Sequence, residues 1–267
     1  MPDLAVVEPK RAASDGEGND YVNALVRGLD VIRAFSKRRP SMTLSEVAAE
    51  TGLTRAAARR FLLTLVRERY AETDGKYFRL TPKILELGYS VLASMDITEI
   101  VQPVINDLAI AVRESVFVAT LDDDAVVYIA KASSGRMINI GISVGSRAPA
   151  YCVSTGRVML AALPEDKLED YFSQVDLAPI TDKTTTSKVK LRADVEEVRK
   201  QVWSIVDEEF EIGLRSISAP IRDRSGRTIA ALNICCPSTR LTLDDMRTHI
   251  LAKLLDAAKR ISDGIAD

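Results

Sequence analysis

The first regular pattern along the chain is a set of apolar residues at helical spacing between positions 22 and 35. This set predicts an amphipathic helix that ends before Pro40, where Lys37, Arg38 and Arg39 would face the negative end of the helix dipole. The apolar positions are Val22, Leu25, Val26, Leu29, Ile32 and Phe35. We expect this helix to bury that face against the elements that follow it.

The next segment, TLSEVAAETGLTRAAARRFLLTLV, predicts two helices joined by a short turn. Thr43 and Glu46 form a capping-box pattern that begins the first helix, and Gly52 suits the left-handed residue that ends it. Thr54 then caps a longer helix. Its predicted buried positions are Ala58, Phe61, Leu62, Leu65 and Val66. Two helices joined by about three residues that include a glycine form a helix-turn-helix.

The segment YAETDGKYFRL, residues 70–80, predicts a β-hairpin that turns at Asp74-Gly75. A hairpin directly after a helix-turn-helix is the wing of a winged helix. Lys76 and Arg79 would make this wing basic.

The remainder of the chain predicts an α+β domain with a largely antiparallel sheet. A helix from Asp96 either begins near Pro103 or kinks there. The other predicted strands lie near 116–121, 125–132, 137–142, 214–222 and 227–235, and the helices near 154–162, 165–172, 190–202 and 242–261. The predicted organisation is a disordered acidic tail (1–20), a winged helix-turn-helix domain (21–80), a linker helix (81–95) and a ligand-binding domain (96–267).

The 267-residue chain is 46% hydrophobic and 28% charged, which is typical of a folded globular protein and leaves room for two domains. No apolar run approaches the ~20 residues that a membrane helix needs, and the N-terminus lacks the order of a signal peptide. Cys152, Cys235 and Cys236 cannot all pair, so reduced thiols are expected. We therefore expect a cytoplasmic protein without a membrane partner.

Charge is unevenly distributed along the chain. Residues 21–95 carry thirteen basic and seven acidic side chains, a net charge of +6, whereas residues 96–267 carry −5. Arg55 and Arg59 share one face of the second short helix, and Arg60 lies one step round. The three arginines alone favour a solvated helix face over a nucleic-acid surface. The capped partner helix, the glycine turn and the basic wing favour DNA.

The first turn of that helix is slim enough to enter a DNA major groove about 12 Å wide, because it carries Thr54, Arg55 and alanines. Arginine suits bidentate contacts with guanine or phosphate. We expect the helix to contact the major groove and the wing to contact the backbone or the minor groove. The predicted DNA-binding residues are Thr43, Ser45, Thr54, Arg55, Arg59, Arg60, Lys76 and Arg79.

Three segments together resemble the IclR-type bacterial transcription regulators. They are LTLSEVAAETGLTRAAARRFLLTL, VGSRAPAYCVSTGRVMLAAL and VDEEFEIGLRSISAPIRDRSGRTIAALNI, and the match runs from about residue 21 to the C-terminus. The form of YVNALVRGLDVI and TRAAARRFLLTL is similar to the subgroup that controls aromatic-acid catabolism (protocatechuate, 4-hydroxybenzoate, β-ketoadipate). Ala57, a further DNA-binding candidate, stands where that subgroup often has threonine, which bears on base preference. The resemblance implies a GAF-like effector-binding domain.

The motif AYCVSTGRVML places Ser154, Thr155 and Gly156 at the start of a helix, where free backbone amides and the dipole favour an anion. A simple helix capped by Ser154 or Thr155 is the alternative. In IclR-type proteins the effector pocket resembles this place, and the match adds Ser216, Asn233 and Cys235 to its wall. Residues two apart on a strand share a face, which supports the last pair.

The resemblance also bears on the size and charge of the effector. An acidic residue of the small-acid sensors in the family falls at Val206, so a larger or less polar effector than glyoxylate is implied. Arg136 and Arg147 are candidate counter-charges for a second carboxylate, and a surface role explains them equally well.

Catalytic and metal-binding interpretations find little support in the sequence. His249 is the only histidine, so neither a catalytic triad nor a His/Cys metal site can be completed. The run Asp122-Asp123-Asp124 is most simply a hairpin turn, and Glu208 and Glu209 are interpreted as structural. Cys235 beside Cys236 could form a redox switch, whereas Cys236 better fits an apolar core position.

The sequence thus predicts a dimeric or tetrameric transcription regulator, not an enzyme and without a cofactor or metal. It would bind a palindromic double-stranded DNA operator and respond to a small organic acid, aromatic or dicarboxylic. The alternative is a small-molecule or redox sensor whose helix-turn-helix serves mainly oligomerisation.

Overall fold

The computed structural model describes residues 22–36, 39–87, 97–133 and 141–266. The described residues form two compact units, one ending at residue 87 and the other beginning at residue 97. Each unit has its own hydrophobic core, and the predicted α+β class is confirmed. The tail (1–20), Arg136 and residues 88–95 of the predicted linker helix lie outside the described residues.

The N-terminal unit is a winged helix-turn-helix, as predicted. Its helices are α1 (Asn23–Arg33), α2 (Leu44–Thr51) and α3 (Arg55–Arg67), and its strands are β1 (Met42–Thr43), β2 (Ala71–Thr73) and β3 (Tyr77–Leu80), in the order β1-β3-β2. A short 3₁₀ helix, Pro82–Leu85, follows. The two-residue β1 was not predicted, because a strand this short carries no alternation. It pairs Met42 with Phe78 and closes the core over Val31, Val47 and Leu62.

The predicted helix caps are confirmed. The hydroxyl of Thr43 accepts a hydrogen bond from the backbone N–H of Glu46 at 3.3 Å, and the Glu46 carboxylate accepts one from the N–H of Thr43 at 2.7 Å. The hydrogen bonds that the Glu46 carboxylate accepts from Thr43, the one from the backbone N–H foremost, lower its pKa. Gly52 ends α2 at φ +65°, and the Thr54 hydroxyl accepts from Ala57 N–H at 3.2 Å.

The predictions for α1 were partly wrong. The helix ends at Arg33, because Ser36 and Arg39 form a backbone turn beyond it and Arg39 is drawn into an ion pair with Glu50 of α2. Lys37 and Arg38 lie outside the described residues. The buried α1 residue is Val31, whereas Val22, Leu25 and Leu29 are exposed.

The C-terminal unit is built on one six-stranded antiparallel sheet of order β6-β5-β4-β9-β8-β7. The strands are β4 (Ser115–Asp122), β5 (Ala125–Ala132), β6 (Arg147–Pro149), β7 (Ser204–Asp207), β8 (Leu214–Arg222) and β9 (Thr228–Pro237). The helices are α4 (Ile97–Val112), α5 (Ser154–Ala161), α6 (Glu165–Gln174), α7 (Lys188–Gln201) and α8 (Leu251–Ala266).

The two faces of this sheet carry different layers. Helices α4 and α8 cover one face over a core that includes Val118, Ile217 and Leu232. Helix α5 lies on the other face, beside α7 and against β8 and β9. Because strand residues alternate, Ser216 and Ser218 of β8 point toward α5, whereas Ile217 between them points toward α8.

Several element boundaries differ from the sequence predictions. Helix α4 runs through Pro103 from Ile97, so of the two predicted alternatives a start near Pro103 is wrong. Strands β6 and β7 were not predicted, and residues 137–140 of the strand predicted at 137–142 lie outside the described residues. The C-terminal helix is preceded by the turn Leu243–Asp245 and by a π-helical turn, Met246–Ile250, that carries His249. Within the described ranges, no helix combines the length and apolarity that crossing a membrane would require.

Candidate functional sites

Helix α3 presents its arginines to solvent. Ala58 and Leu62 are fully buried on one side of the helix, and Arg55, Arg59 and Arg60 are exposed on the other. None of the three arginines forms an ion pair with another residue of the described chain. Their positive charge is therefore uncompensated along the outer face of the helix.

The other predicted DNA-contacting residues differ in whether their side chains already contact other residues of the protein. The Ser45 hydroxyl is exposed, whereas Thr43 also donates its hydroxyl to Glu46 at 2.8 Å within the capping box. On the wing, the Lys76 ammonium lies 5.1 Å from the ring centroid of Tyr77. The Arg79 guanidinium lies 3.4 Å from the carboxylate of Glu72, so part of its charge is neutralised.

The start of α5 is built differently from a capped helix. Val153 occupies the N-cap in an extended conformation and makes no side-chain cap bond, so the alternative of a cap at Ser154 or Thr155 is wrong. Ser154 is instead the first helical residue, and its hydroxyl points into the sheet. Ser154 and Thr155 are both fully buried.

Ser154 belongs to a buried polar cluster made with β8 and β9. Its hydroxyl oxygen lies 2.8 Å from those of Ser216 and Ser218, and Asn233 donates from Nδ2 to Ser154 at 3.0 Å and to Ser218 at 2.9 Å. Register pairing sets Ser218 opposite Asn233 and Ser216 opposite Cys235. The structure thus brings together the four predicted residues Ser154, Ser216, Asn233 and Cys235. Ser218 was missed, although its two-residue spacing from Ser216 was a usable signal.

The cysteines are poorly suited to redox chemistry. Cys235 donates from Sγ to Asn233 Oδ1 at 2.8 Å, and burial raises the pKa of its thiol far above the usual range. Burial likewise raises the pKa of Cys236 to about 12, and Cys236 lies in the apolar core on the α8 face, as predicted. Thiols held protonated are unreactive, which disfavours the redox-sensor interpretation.

Unpaired hydroxyl groups and aromatic rings lie beside the polar cluster. The Thr155 hydroxyl approaches the Tyr128 phenol, but it is fully buried and makes no hydrogen bond of normal geometry. The buried Tyr171 hydroxyl also lacks a partner among the described residues. The Tyr128 ring packs edge-on against Phe117 with centroids 5.5 Å apart. Sequence analysis missed Phe117 and Tyr128, because only tertiary structure brings β4 and β5 to α5.

The residues after Thr155 fix α5 in place. A Cβ on Gly156 would lie 2.0 Å from the carbonyl oxygen of Ala150, so only glycine permits this approach. Arg157 is buried and donates to Glu209 at 2.8 Å and to the carbonyl of Tyr151 at 3.2 Å. Sequence analysis did not predict a structural role for Arg157.

The remaining candidate acidic and basic residues have local partners. Glu208 accepts from Lys183 and from Gly213 N–H at 2.8 Å each, in line with the structural role assigned to it, and its pKa is lowered first by Lys183. Arg147 forms an ion pair with Asp122 at the end of the β4–β5 hairpin. Throughout the described ranges, no group of three or more His, Cys, Asp or Glu side chains could hold a metal ion.

Comparison with known proteins finds a matching family model for each of the two units. The IclR helix-turn-helix domain matches residues 24–75, and the C-terminal domain of bacterial IclR transcriptional regulators matches residues 89–263. The Pca regulon regulatory protein of Pseudomonas putida is 38% identical over 259 residues, 97% of this chain and 89% of that protein. The p-hydroxybenzoate hydroxylase transcriptional activator of Acinetobacter baylyi is 30% identical over 247 residues, 91% of each chain.

Solved structures give the same assignment. A transcriptional regulator from Rhodococcus sp. RHA1 is 44% identical with a TM-score of 0.83, over 92% of this chain and 98% of that one. The inducer-binding domain of PobR from Acinetobacter, a double mutant in complex with 3-hydroxybenzoic acid, is 25% identical with a TM-score of 0.59, over 61% of this chain and 96% of its own. The chain belongs to the IclR family of bacterial transcriptional regulators.

Proposed function

We propose that this regulator binds a palindromic operator through α3 as a homodimer or homotetramer and responds to a small aromatic acid bound at the start of α5. The observation that carries the effector proposal is the fully buried, unpaired Thr155 hydroxyl beside two aromatic rings. A buried polar atom without a partner is costly, and a ligand that hydrogen-bonds to it removes that cost.

The DNA-binding part of the proposal rests on the uncompensated face of α3. Arg55, Arg59 and Arg60 project from a helix whose first turn is otherwise small, so the helix fits a major groove. Thr54 and Ala57 lie at the start of the same helix, and Ser45 is exposed at the start of α2. Lys76 and Arg79 on the wing supply contacts to the backbone or the minor groove. A two-fold oligomer matches the symmetry of a palindrome.

Replacing Arg59 with alanine is expected to weaken operator binding by ~1–3 kcal/mol, about 5- to 150-fold, if the arginine reads a base. The measurement is fluorescence anisotropy with the native operator and a scrambled duplex. Loss of a base contact would lower the preference for the operator, whereas loss of a phosphate contact would weaken binding to both duplexes.

Lys167→Ala provides the matched control for that experiment, because it removes one exposed cation from the other unit. It should leave operator affinity unchanged. If the Arg59→Ala protein kept wild-type affinity for both duplexes, α3 would not be part of the DNA interface. That result would favour an oligomerisation role for the helix-turn-helix.

The aromatic class of the effector follows from the walls of the candidate site. Phe117 and Tyr128 offer ring faces and edges, and Val206 on β7 places an apolar side chain opposite Ser216. The amides at the start of α5 favour a carboxylate. The related PobR domain that binds 3-hydroxybenzoic acid supports the same class.

In a thermal-shift assay, 3- or 4-hydroxybenzoate is expected to raise the melting temperature of the full chain, because a ligand selective for the native state stabilises it. Thr155→Val should leave the ligand-free melting temperature within ~2 °C, since it removes a hydroxyl without a partner. The same change should weaken ligand binding about 2- to 10-fold by removing one hydrogen bond. 4-Hydroxybenzamide, which keeps the ring and the hydroxyl but lacks the carboxylate, serves as the control ligand. Unaltered hydroxybenzoate binding by Thr155→Val would contradict the placement of the effector.

A further inference from the structure

The residue that ends α7 adopts a conformation unfavourable for its type. Val202 has φ +62° and ψ 20°, a left-handed conformation in which glycine is normally found after a helix. A β-branched side chain is strained there. The Val202 side chain is 43% exposed and belongs to none of the hydrophobic clusters formed by the described residues, so core packing does not explain the valine.

Val202 lines a groove with a volume of about 440 Å³ at one end of the sheet. Leu255 adds an apolar side chain to the same surface, and the buried residues Ala219 and Ala258 lie beneath it. Ala219 and Ala258 belong to the core on the α8 face, whereas the Ser154 cluster lies on the α5 face, so the sheet separates the two sites. The volume suits a small organic molecule.

The charged rim of the groove carries a net positive charge. Arg222, Arg224 and Lys259 line it together with two carboxylates. Asp223 accepts from Arg227 Nε at 2.9 Å, and Asp263 and Lys259 pair with each other at 2.5 Å, so neither carboxylate offsets the charge of Arg222. An anion is therefore favoured over a cation.

The backbone beside the groove is closed to an added peptide strand. Strand β7 pairs with β8 only as far as Ser218, which leaves residues 219–222 at an edge. Pro220 has no N–H, and the N–H of Arg222 already donates to the Ser262 hydroxyl at 2.9 Å. Because strand addition depends on such groups, a small molecule fits this groove better than a peptide.

We propose that this groove is a second ligand site of the regulator, for a small organic anion with one carboxylate and an apolar body. The apolar body would lie against Val202 and Leu255, and the carboxylate would face Arg222. This site is independent of the effector site at α5.

Trp203, the only tryptophan of the chain, directly follows Val202 and is the fluorescence probe for this experiment. Titration of the full chain with cyclohexanecarboxylate, which does not absorb at the excitation wavelength, should give a saturable change in tryptophan emission. Cyclohexanemethanol, the uncharged analogue, should bind at least ~10-fold more weakly if the anion is recognised. Thr155→Val should leave this response unchanged, whatever its effect on hydroxybenzoate binding.

Two variants separate a ligand role from a structural one. Val202→Gly is expected to raise the melting temperature by ~2–4 °C through relief of strain and yet weaken the carboxylate several-fold. Arg222→Met should also weaken it several-fold. An absent or non-saturable response, equal binding of the alcohol, or a lower melting temperature for Val202→Gly would each overturn the proposal.

Discussion

Gly156→Ala is expected to destabilise the C-terminal unit by roughly 3–5 kcal/mol, the largest effect we predict for a single methyl group in this protein. The added Cβ would lie 2.0 Å from the carbonyl oxygen and 2.4 Å from the Cα of Ala150. Both atoms are backbone atoms of a buried 3₁₀ turn, Ala150–Cys152, so no side-chain rotation can relieve the overlap. Helix α5 would have to move away from the sheet and break the Ser154 cluster.

Calorimetry of the full chain tests this prediction, with Gly28→Ala as the matched control. Gly28 lies within α1, and a Cβ there would come no closer than 3.7 Å, to the Phe61 ring. Its substitution should be neutral or stabilising by up to about 1 kcal/mol, because alanine favours a helix interior. If the Gly156→Ala protein melted within ~2 °C of the wild type, α5 would not lie as close to Ala150 as the structure shows.

The helix-turn-helix could be predicted because its determinants are local. Thr43, Glu46, Gly52 and Thr54 specify helix ends within four residues of themselves, and the structure confirms each cap. The exposed face of α1 could not be predicted in the same way. Apolar spacing shows that a helix has an apolar stripe, but tertiary contacts decide whether Val31 or Leu25 is buried.

The candidate effector site was only partly predictable, since it joins residues far apart in sequence. Ser154 and Asn233, 79 residues apart, meet through the β8–β9 register and the packing of α5. Strand alternation relates Ser216 to Ser218, but it cannot relate either residue to Tyr128. Gly156 was predicted as part of an anion site, whereas the structure gives it a second, steric reason to be glycine.

Arg157→Met is expected to cost ~3–5 kcal/mol of stability, because it leaves a buried carboxylate without its counter-charge. Arg157 is 5% exposed and Glu209 is 8% exposed, and the two are 2.8 Å apart. Glu209 also accepts from the N–H of Thr185 at 2.8 Å, which ties the segment before α7 to α5. Methionine retains much of the arginine stem volume, so the predicted loss arises mainly from the charge.

A double variant tests that explanation. Glu209→Gln in the Arg157→Met background removes the buried uncompensated charge, whereas the second partner of Arg157, Asp194 at 3.5 Å, is 33% exposed. The double variant should recover about 1–3 kcal/mol in urea unfolding, the size of coupling found between contacting residues. Arg260→Met controls for loss of an exposed pair. Its partner Asp107 is 3.7 Å away and both side chains are more than half exposed, so the cost should stay below about 1 kcal/mol. If the double variant were as unstable as the Arg157→Met variant, lost packing around α5, and not the buried charge, would be the cause.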